Sequence, residues 1–168
     1  MNAENTLASL RFLLVEDNAY TQKLLAEVLK ALGVPDGNVF QASDGASALE
    51  VLKLHPVDIV ITDARMEPVD GIALTRAIRS ADDKIRRDVP IILCTAYSEA
   101  HRITEARDAG VTEIVLKPFS VQALYKRICA VIERPRSLIQ STEFNGPDRR
   151  RIAEDVKKEK RRNEYKLR

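Results

Sequence analysis

The chain has 168 residues, 45% of them apolar and 31% charged, with two cysteines and a net charge of +2. That length suits one core with an appendage, and the apolar fraction suffices to build it. No run of about 18 apolar residues occurs, which excludes a membrane-spanning helix, and MNAENTLASLRF lacks the basic-then-apolar pattern of a secretory leader, so a cytoplasmic protein is expected.

In chain order, FLLV (12–15) is too short for a helix, reads as a strand and ends in Glu16-Asp17. Residues 18–32 place Leu24, Leu25, Val28, Leu29 and Leu32 at three- and four-residue spacings, predicting a helix that Gly33 closes. NVFQA (38–42) is a second strand, and Ser43-Asp44-Gly45 opens a second helix. That helix turns Ala48, Leu49, Val51 and Leu52 inward before His55-Pro56 stops it. VDIVIT (57–62) runs straight into Asp63, and Asp70-Gly71 opens a third helix carrying Ile72, Leu74, Ala77 and Ile78.

PIILCT (90–95) is a fourth strand, ending on Thr95. A weakly apolar helix follows from about Glu99 to Ala109, with Ile103 and Ala106 inward and Gly110 after it. EIVLK (113–117) ends in Lys117-Pro118, and Ser120 caps a fifth helix with Leu124, Ile128, Val131 and Ile132 on one face. Cys94 and Cys129 lie inside apolar patterns and read as free thiols, and His55 and His101 read as surface residues.

Arg134-Pro135-Arg136 breaks the fifth helix, and residues 134–147 look like a linker. Residues 134–168 hold twelve Lys/Arg against six Asp/Glu, leaving fifteen against nineteen of the chain's 27 and 25 for residues 1–133. A mildly acidic body therefore carries a basic tail. Residues 148–168 are strong helix formers with little apolar face beyond Ile152 and Val156, so a helix there has little to bury.

Strands alternating with helices at this spacing predict a doubly wound α/β fold, (βα)5, with a parallel sheet covered on both faces. Ligands of such sheets bind beyond the carboxyl ends of the strands, where the strand order reverses. With the flavodoxin-like order 2-1-3-4-5, the ends carrying Glu16-Asp17, Asp63, Thr95 and Lys117 lie side by side. Three clustered carboxylates repel unless a cation sits among them, and a hard ion such as Mg²⁺ suits oxygen ligands. A carboxylate there could take a phosphoryl group as an aspartyl phosphate, its charge balanced by metal and ammonium.

LLVEDN, DIVITDARMEPVDG, PIILCTA and VLKPFS, in this order and at these separations, resemble the response-regulator receiver domain of the chemotaxis type over about residues 9–133. The resemblance implies Asp63 as phosphoacceptor, Mg²⁺ held by Glu16, Asp17, Asp63 and the backbone carbonyl of Arg65, and Thr95 and Lys117 in the switch-hydroxyl and phosphate-pairing roles. Pro118 would follow the lysine through a cis bond, as is usual in the family. A sensor histidine kinase or histidine phosphotransfer protein would supply the phosphoryl group. The fourth helix, fifth strand and fifth helix would then engage a protein target or a second copy of the chain.

Two departures from the family pattern stand out. Ile114 occupies the place of the usual aromatic switch residue, with Tyr97 as a partial substitute, and Pro68 stands one place later than usual behind Glu67. The resemblance implies that the side chains of Arg65 and Tyr97 would flank the approach to the acyl phosphate, where their bulk and hydrogen bonding are expected to hinder the attacking water and prolong the phosphorylated state. An acid-sugar-type phosphatase would need a second acid two residues after its nucleophile, where Arg65 stands, so no enzyme beyond self-catalysed transfer and hydrolysis is expected. The competing reading is a nucleic-acid regulator whose basic tail is gated by phosphorylation; the tail reads first as a solvated segment, then as a protein-docking one.

Overall fold

The computed structural model describes residues 6–82, 85–96, 101–134, 138–140 and 145–147. The strands are β1 (Phe12–Val15), β2 (Val39–Ala42), β3 (Ile59–Asp63), β4 (Ile91–Ala96) and β5 (Glu113–Lys117). They form one parallel sheet in the order β2-β1-β3-β4-β5. Helices α1 (Ala19–Ala31), α2 (Gly45–Leu54), α3 (Gly71–Arg79), α4 (Arg102–Ala109) and α5 (Val121–Glu133) connect and cover it.

Alternation along each strand sorts the core into two layers. Phe12, Leu14, Ile59, Ile61, Ile92, Cys94 and Val115 pack with Leu25 and Leu29 of α1 and Leu124, Ile128 and Val131 of α5. The opposite strand residues, Leu13, Val15, Val60 and Ile91, meet Ala48 and Leu52 of α2 and Leu74 and Ile78 of α3. Leu93, Ile114 and Leu116 continue that second face against Ile72, Ala106 and Ala109 under α3 and α4. Leu7, ahead of the sheet and two residues before the expected start of the domain, is 1% exposed within the first layer.

Three helices start on the residues that the sequence marks. Asp44 accepts from the amides of Ala46 and Ser47 in a capping box, Asp70 from those of Ile72 and Ala73, and Ser120 from that of Ala123. Such a cap is worth about 1 kcal/mol. Gly33 and Gly110, with φ of 94° and 100°, turn the chain out of α1 and α4 as expected. Leu24 departs from expectation: it is 53% exposed, because α1 buries the narrower face of Leu25 and Leu29, and Leu24 shares an outer flank with Tyr20.

The segment read as a linker contains a short antiparallel pair, β6 (Leu138–Gln140) and β7 (Asn145–Pro147). Tyr97, the expected first turn of the fourth helix at 99–100, and the tail 148–168 lie outside the described residues. Among the described residues, no helix is long and apolar enough to cross a membrane.

α4 is the least anchored helix. Its eight described residues bury only Ala106 and Ala109 fully, and among the described residues His101 before it makes no side-chain capping bond. Two ion pairs tie it to α3: Arg102 to Asp70 at 2.7 Å and Arg76 to Glu105 at 3.2 Å. The first pair is half-buried and the second exposed, and exposed pairs contribute about 1 kcal/mol or less each. Burying one Leu or Ile contributes about 1.5–3 kcal/mol, so α5, with Leu124, Ile128 and Val131 inside, is held far more firmly.

Candidate functional site

The register of the sheet brings the expected strand ends together. Val15 pairs with Thr62, so Glu16 and Asp63 each stand one residue beyond that pair on neighbouring strands. Asp63 pairs with Cys94, and Ala96 with Lys117, which sets Thr95 and Lys117 on the far side of Asp63. Carboxylate oxygens of Glu16, Asp17 and Asp63 all lie within 4.8 Å of one another. Lys117 Nζ donates to Asp63 Oδ1 at 2.6 Å and to Glu16 Oε2 at 3.2 Å.

Backbone amides orient the acids. The amide of Arg65 donates to Asp63 Oδ2 at 3.1 Å, and that of Asn18 to Glu16 Oε1 at 3.2 Å. Gln22 on α1 holds the backbone beneath them, donating to the carbonyls of Ala42 at 2.8 Å and Glu16 at 3.2 Å. The sequence does not reveal Gln22, since nothing but the fold brings its amide over the end of β1.

Charge in this crevice is costly. Glu16 is only 4% exposed. Burial raises its carboxyl above the ordinary value, the charge of Asp63 adds to the rise, and Lys117 opposes it. For Lys117 burial acts to lower the ammonium's pKa, but the hydrogen bond and charge of Asp63, with the charge of Glu16, outweigh it and raise the group. Asp17 is exposed at the rim. Three acids and one ammonium leave net negative charge in a partly desolvated crevice. A hard divalent cation with oxygen ligands would balance it, so the donor set fits Mg²⁺.

The remaining expected residues fall as follows. Thr95 is 2% exposed in β4. Arg65 is exposed, and the peptide between Lys117 and Pro118 is cis, as is that between Glu67 and Pro68. Ile114 is 2% exposed and packs with Leu93 and Leu116 on the α3–α4 side, an aliphatic core residue where an aromatic one was at issue. Cys94 lies under the site and burial pushes its thiol up to about 12, which makes it an inert core group. His55 is exposed and stacks on Phe40, with ring centroids 4.6 Å apart; His101 is exposed too.

Asp70 joins the rim to α4. Burial acts to raise its carboxyl, but the amide of Ala73, Arg102 and the amide of Ile72 together hold it below the ordinary range. The sequence shows Asp70 as a cap only; its ion pair spans 32 residues to Arg102 and leaves no local pattern.

Residues 12–129 match the response regulator receiver domain family. The chain is 34% identical over 125 residues to the chemotaxis protein CheY of Pseudomonas aeruginosa, covering 74% of this chain and 98% of that protein. It is 37% identical over 128 residues to the transcriptional regulatory protein PdtaR of Mycobacterium tuberculosis, covering 76% of this chain but only 59% of that protein. Among solved structures it resembles the receiver domain of a sensor histidine kinase from Pseudomonas aeruginosa, at 30% identity and a TM-score of 0.66, over 75% of this chain and 99% of that one. That structure has a magnesium ion coordinated in its active site cleft.

Proposed function

The chain belongs to the response regulator receiver family of two-component signal transduction, and from that premise we propose that Asp63 is its phosphoacceptor, served by Mg²⁺ on Glu16, Asp17, Asp63 and the carbonyl of Arg65. One observation carries the reading: oxygens of three acids lie within 4.8 Å of one another, with the Lys117 ammonium 2.6 Å from Asp63. The bound cation would supply positive charge for the equatorial oxygens of the transferring phosphoryl group.

The protein's own groups do the rest. Asp63, fixed by the amide of Arg65 and by Lys117, presents a carboxylate oxygen to phosphorus. A new O–P bond forms as the P–N bond of a donor phosphohistidine breaks, and the donor imidazole keeps the electron pair and takes up a proton. Lys117 then pairs with the phosphoryl group, and Thr95 donates to one of its oxygens. Their movement biases the surface of α4, β5 and α5, where α4 is the least firmly held part.

The partners are a sensor histidine kinase or histidine phosphotransfer protein upstream and a protein target, or a second copy of the chain, downstream. Arg65 and Tyr97 modulate the lifetime of the acyl phosphate. Residues 9–133 form the receiver and 134–168 a basic appendage. Transfer and hydrolysis are self-catalysed, with no turnover of a separate substrate. Incubation with Mg²⁺ and a small phosphodonor is expected to modify wild-type protein and leave Asp63→Asn unmodified; equal modification of both would refute the assignment. Phosphorylation-gated nucleic-acid binding through the basic tail is the second reading, favoured by the charge excess of 134–168. It requires that truncating residues 137–168 abolish output while phosphorylation persists.

A further inference from the structure

On the reading above, the loop 64–70 between β3 and α3 presents the carbonyl of Arg65 to the cation. Its exposed residues, Arg65, Glu67 and Pro68, alternate with points where the loop is tied down. The amide of Ala64 donates to the carbonyl of Cys94 at 2.8 Å, and Met66 is 5% exposed in the layer beneath α2 and α3. The carbonyl of Val69 accepts from the amide of Gly45 at 2.9 Å, and the Asp70 side chain caps α3.

Two of these ties are closed by glycines that open helices. A Cβ on Gly71 would stand 2.1 Å from the carbonyl oxygen of Asp63 itself. A Cβ on Gly45 would stand 2.5 Å from Val69 Cγ1, 2.9 Å from its Cβ and 2.9 Å from its carbonyl oxygen. Neither glycine has a positive φ, so close approach and not backbone conformation makes the residue necessary. All three atoms nearest to Gly45 belong to Val69, so the first residue of α2 reads as a seat for the acceptor loop.

We propose that Gly45, on the second helix, is a positioning residue for the phosphoacceptor site, acting through Val69 on the loop that carries the Arg65 carbonyl. A side chain at 45 cannot be accommodated by rotating Val69 alone, because the backbone carbonyl is among the crowded atoms. Either α2 or the loop must withdraw. The start of α2 is held by the Asp44 capping box, and Ala48 and Leu52 seat the helix in the core. The loop, with three exposed residues in seven, gives way first. Partners that hold ligand-bearing groups in place typically change metal affinity by about 10–100-fold when lost.

The test measures Mg²⁺ affinity of the full chain by calorimetry and amide exchange of residues 64–70 without metal. It compares wild type, Gly45→Ala, Gly45→Ala with Val69→Gly, and Ile128→Val in the opposite core layer as a stability control. Gly45→Ala is expected to bind Mg²⁺ about tenfold more weakly and to exchange faster in 64–70. The double variant, freed of both side-chain contacts, recovers part of the affinity and carries the comparison with wild type should the single variant fail to fold. Ile128→Val stays at the wild-type value. Unchanged affinity and exchange in Gly45→Ala (or, should that variant not fold, in the double variant), or an equal loss in the Ile128→Val control, would overturn the proposal. Absence of Mg²⁺ binding by wild type would instead refute the metal reading; exchange in 64–70 would then decide the positioning claim alone, supporting it if faster in Gly45→Ala and overturning it if unchanged.

Discussion

At the N-terminal ends of the strands, ionic groups have partners of their own; at the C-terminal ends, Lys117 pairs with two carboxylates, Glu16 and Asp63, and a third, Asp17, stands alongside. Arg79, 2% exposed, donates to the carbonyls of Gly110 at 3.0 Å, Val89 at 2.8 Å and Arg87, clamping the segments that lead into β4 and β5. Burial pushes its guanidinium down to about 10 despite the nearby charge of Asp88, yet it stays protonated at neutral pH. Glu113, 1% exposed, pairs with Arg127 at 3.3 Å, and Asp58 lies between Arg11 and Arg86 at 3.5 and 3.8 Å. The first end of the sheet is built for stability, and the second holds charge that a ligand must complete.

The largest effect should come from removing the clamp. Arg79→Met leaves buried carbonyls without this donor and is expected to cost about 3 kcal/mol in urea unfolding, with Mg²⁺ affinity unchanged in the folded protein. A matching loss of Mg²⁺ affinity would erase the distinction between the two ends. Next, Mg²⁺ at about 100 times its dissociation constant should stabilise wild type by about 2.7 kcal/mol. Asp17→Asn should forfeit most of that gain while equalling or slightly exceeding wild type in metal-free stability, because one repelling charge is gone.

The pH dependence sharpens the same contrast. Glu16 has a raised pKa in the folded state against an ordinary value of 4.5, so the folded protein binds more protons between these two values. The metal-free protein should therefore lose stability as pH rises through that window. Glu16→Gln should remove this contribution, and Mg²⁺, which needs the carboxylate, should bind better above the window; unfolding curves across pH with and without Mg²⁺ check both. The smallest effect is expected at a compensated pair within the crowded end. Arg102→Ala should cost about 1 kcal/mol or less in thermal unfolding, since Asp70 keeps its capping bonds, and should leave Mg²⁺ affinity intact.

How far these ends can be read in the sequence depends on whether the relevant interaction is local. The strand runs, the Asp44, Asp70 and Ser120 caps and the acids at the strand ends are short-range patterns; the order β2-β1-β3-β4-β5 is not, because other windings also cover both faces, and it enters as the arrangement that sets the polar strand ends side by side. Leu24 was misplaced because three- and four-residue spacing admits a wider face than α1 buries. Arg79 looks like an ordinary basic residue in the last turn of α3, and its acceptors are carbonyls up to 31 residues away. Gly45 is legible as a helix start; its approach to Val69 appears only when α2 and the acceptor loop are side by side.

The most direct test of the central claim is to phosphorylate the intact chain with a small phosphodonor and locate the modified residue by mass spectrometry, with and without Mg²⁺. The account predicts a single Mg²⁺-dependent modification on Asp63. Modification at another residue, or at Asp63 to the same extent after the metal is chelated, would contradict it.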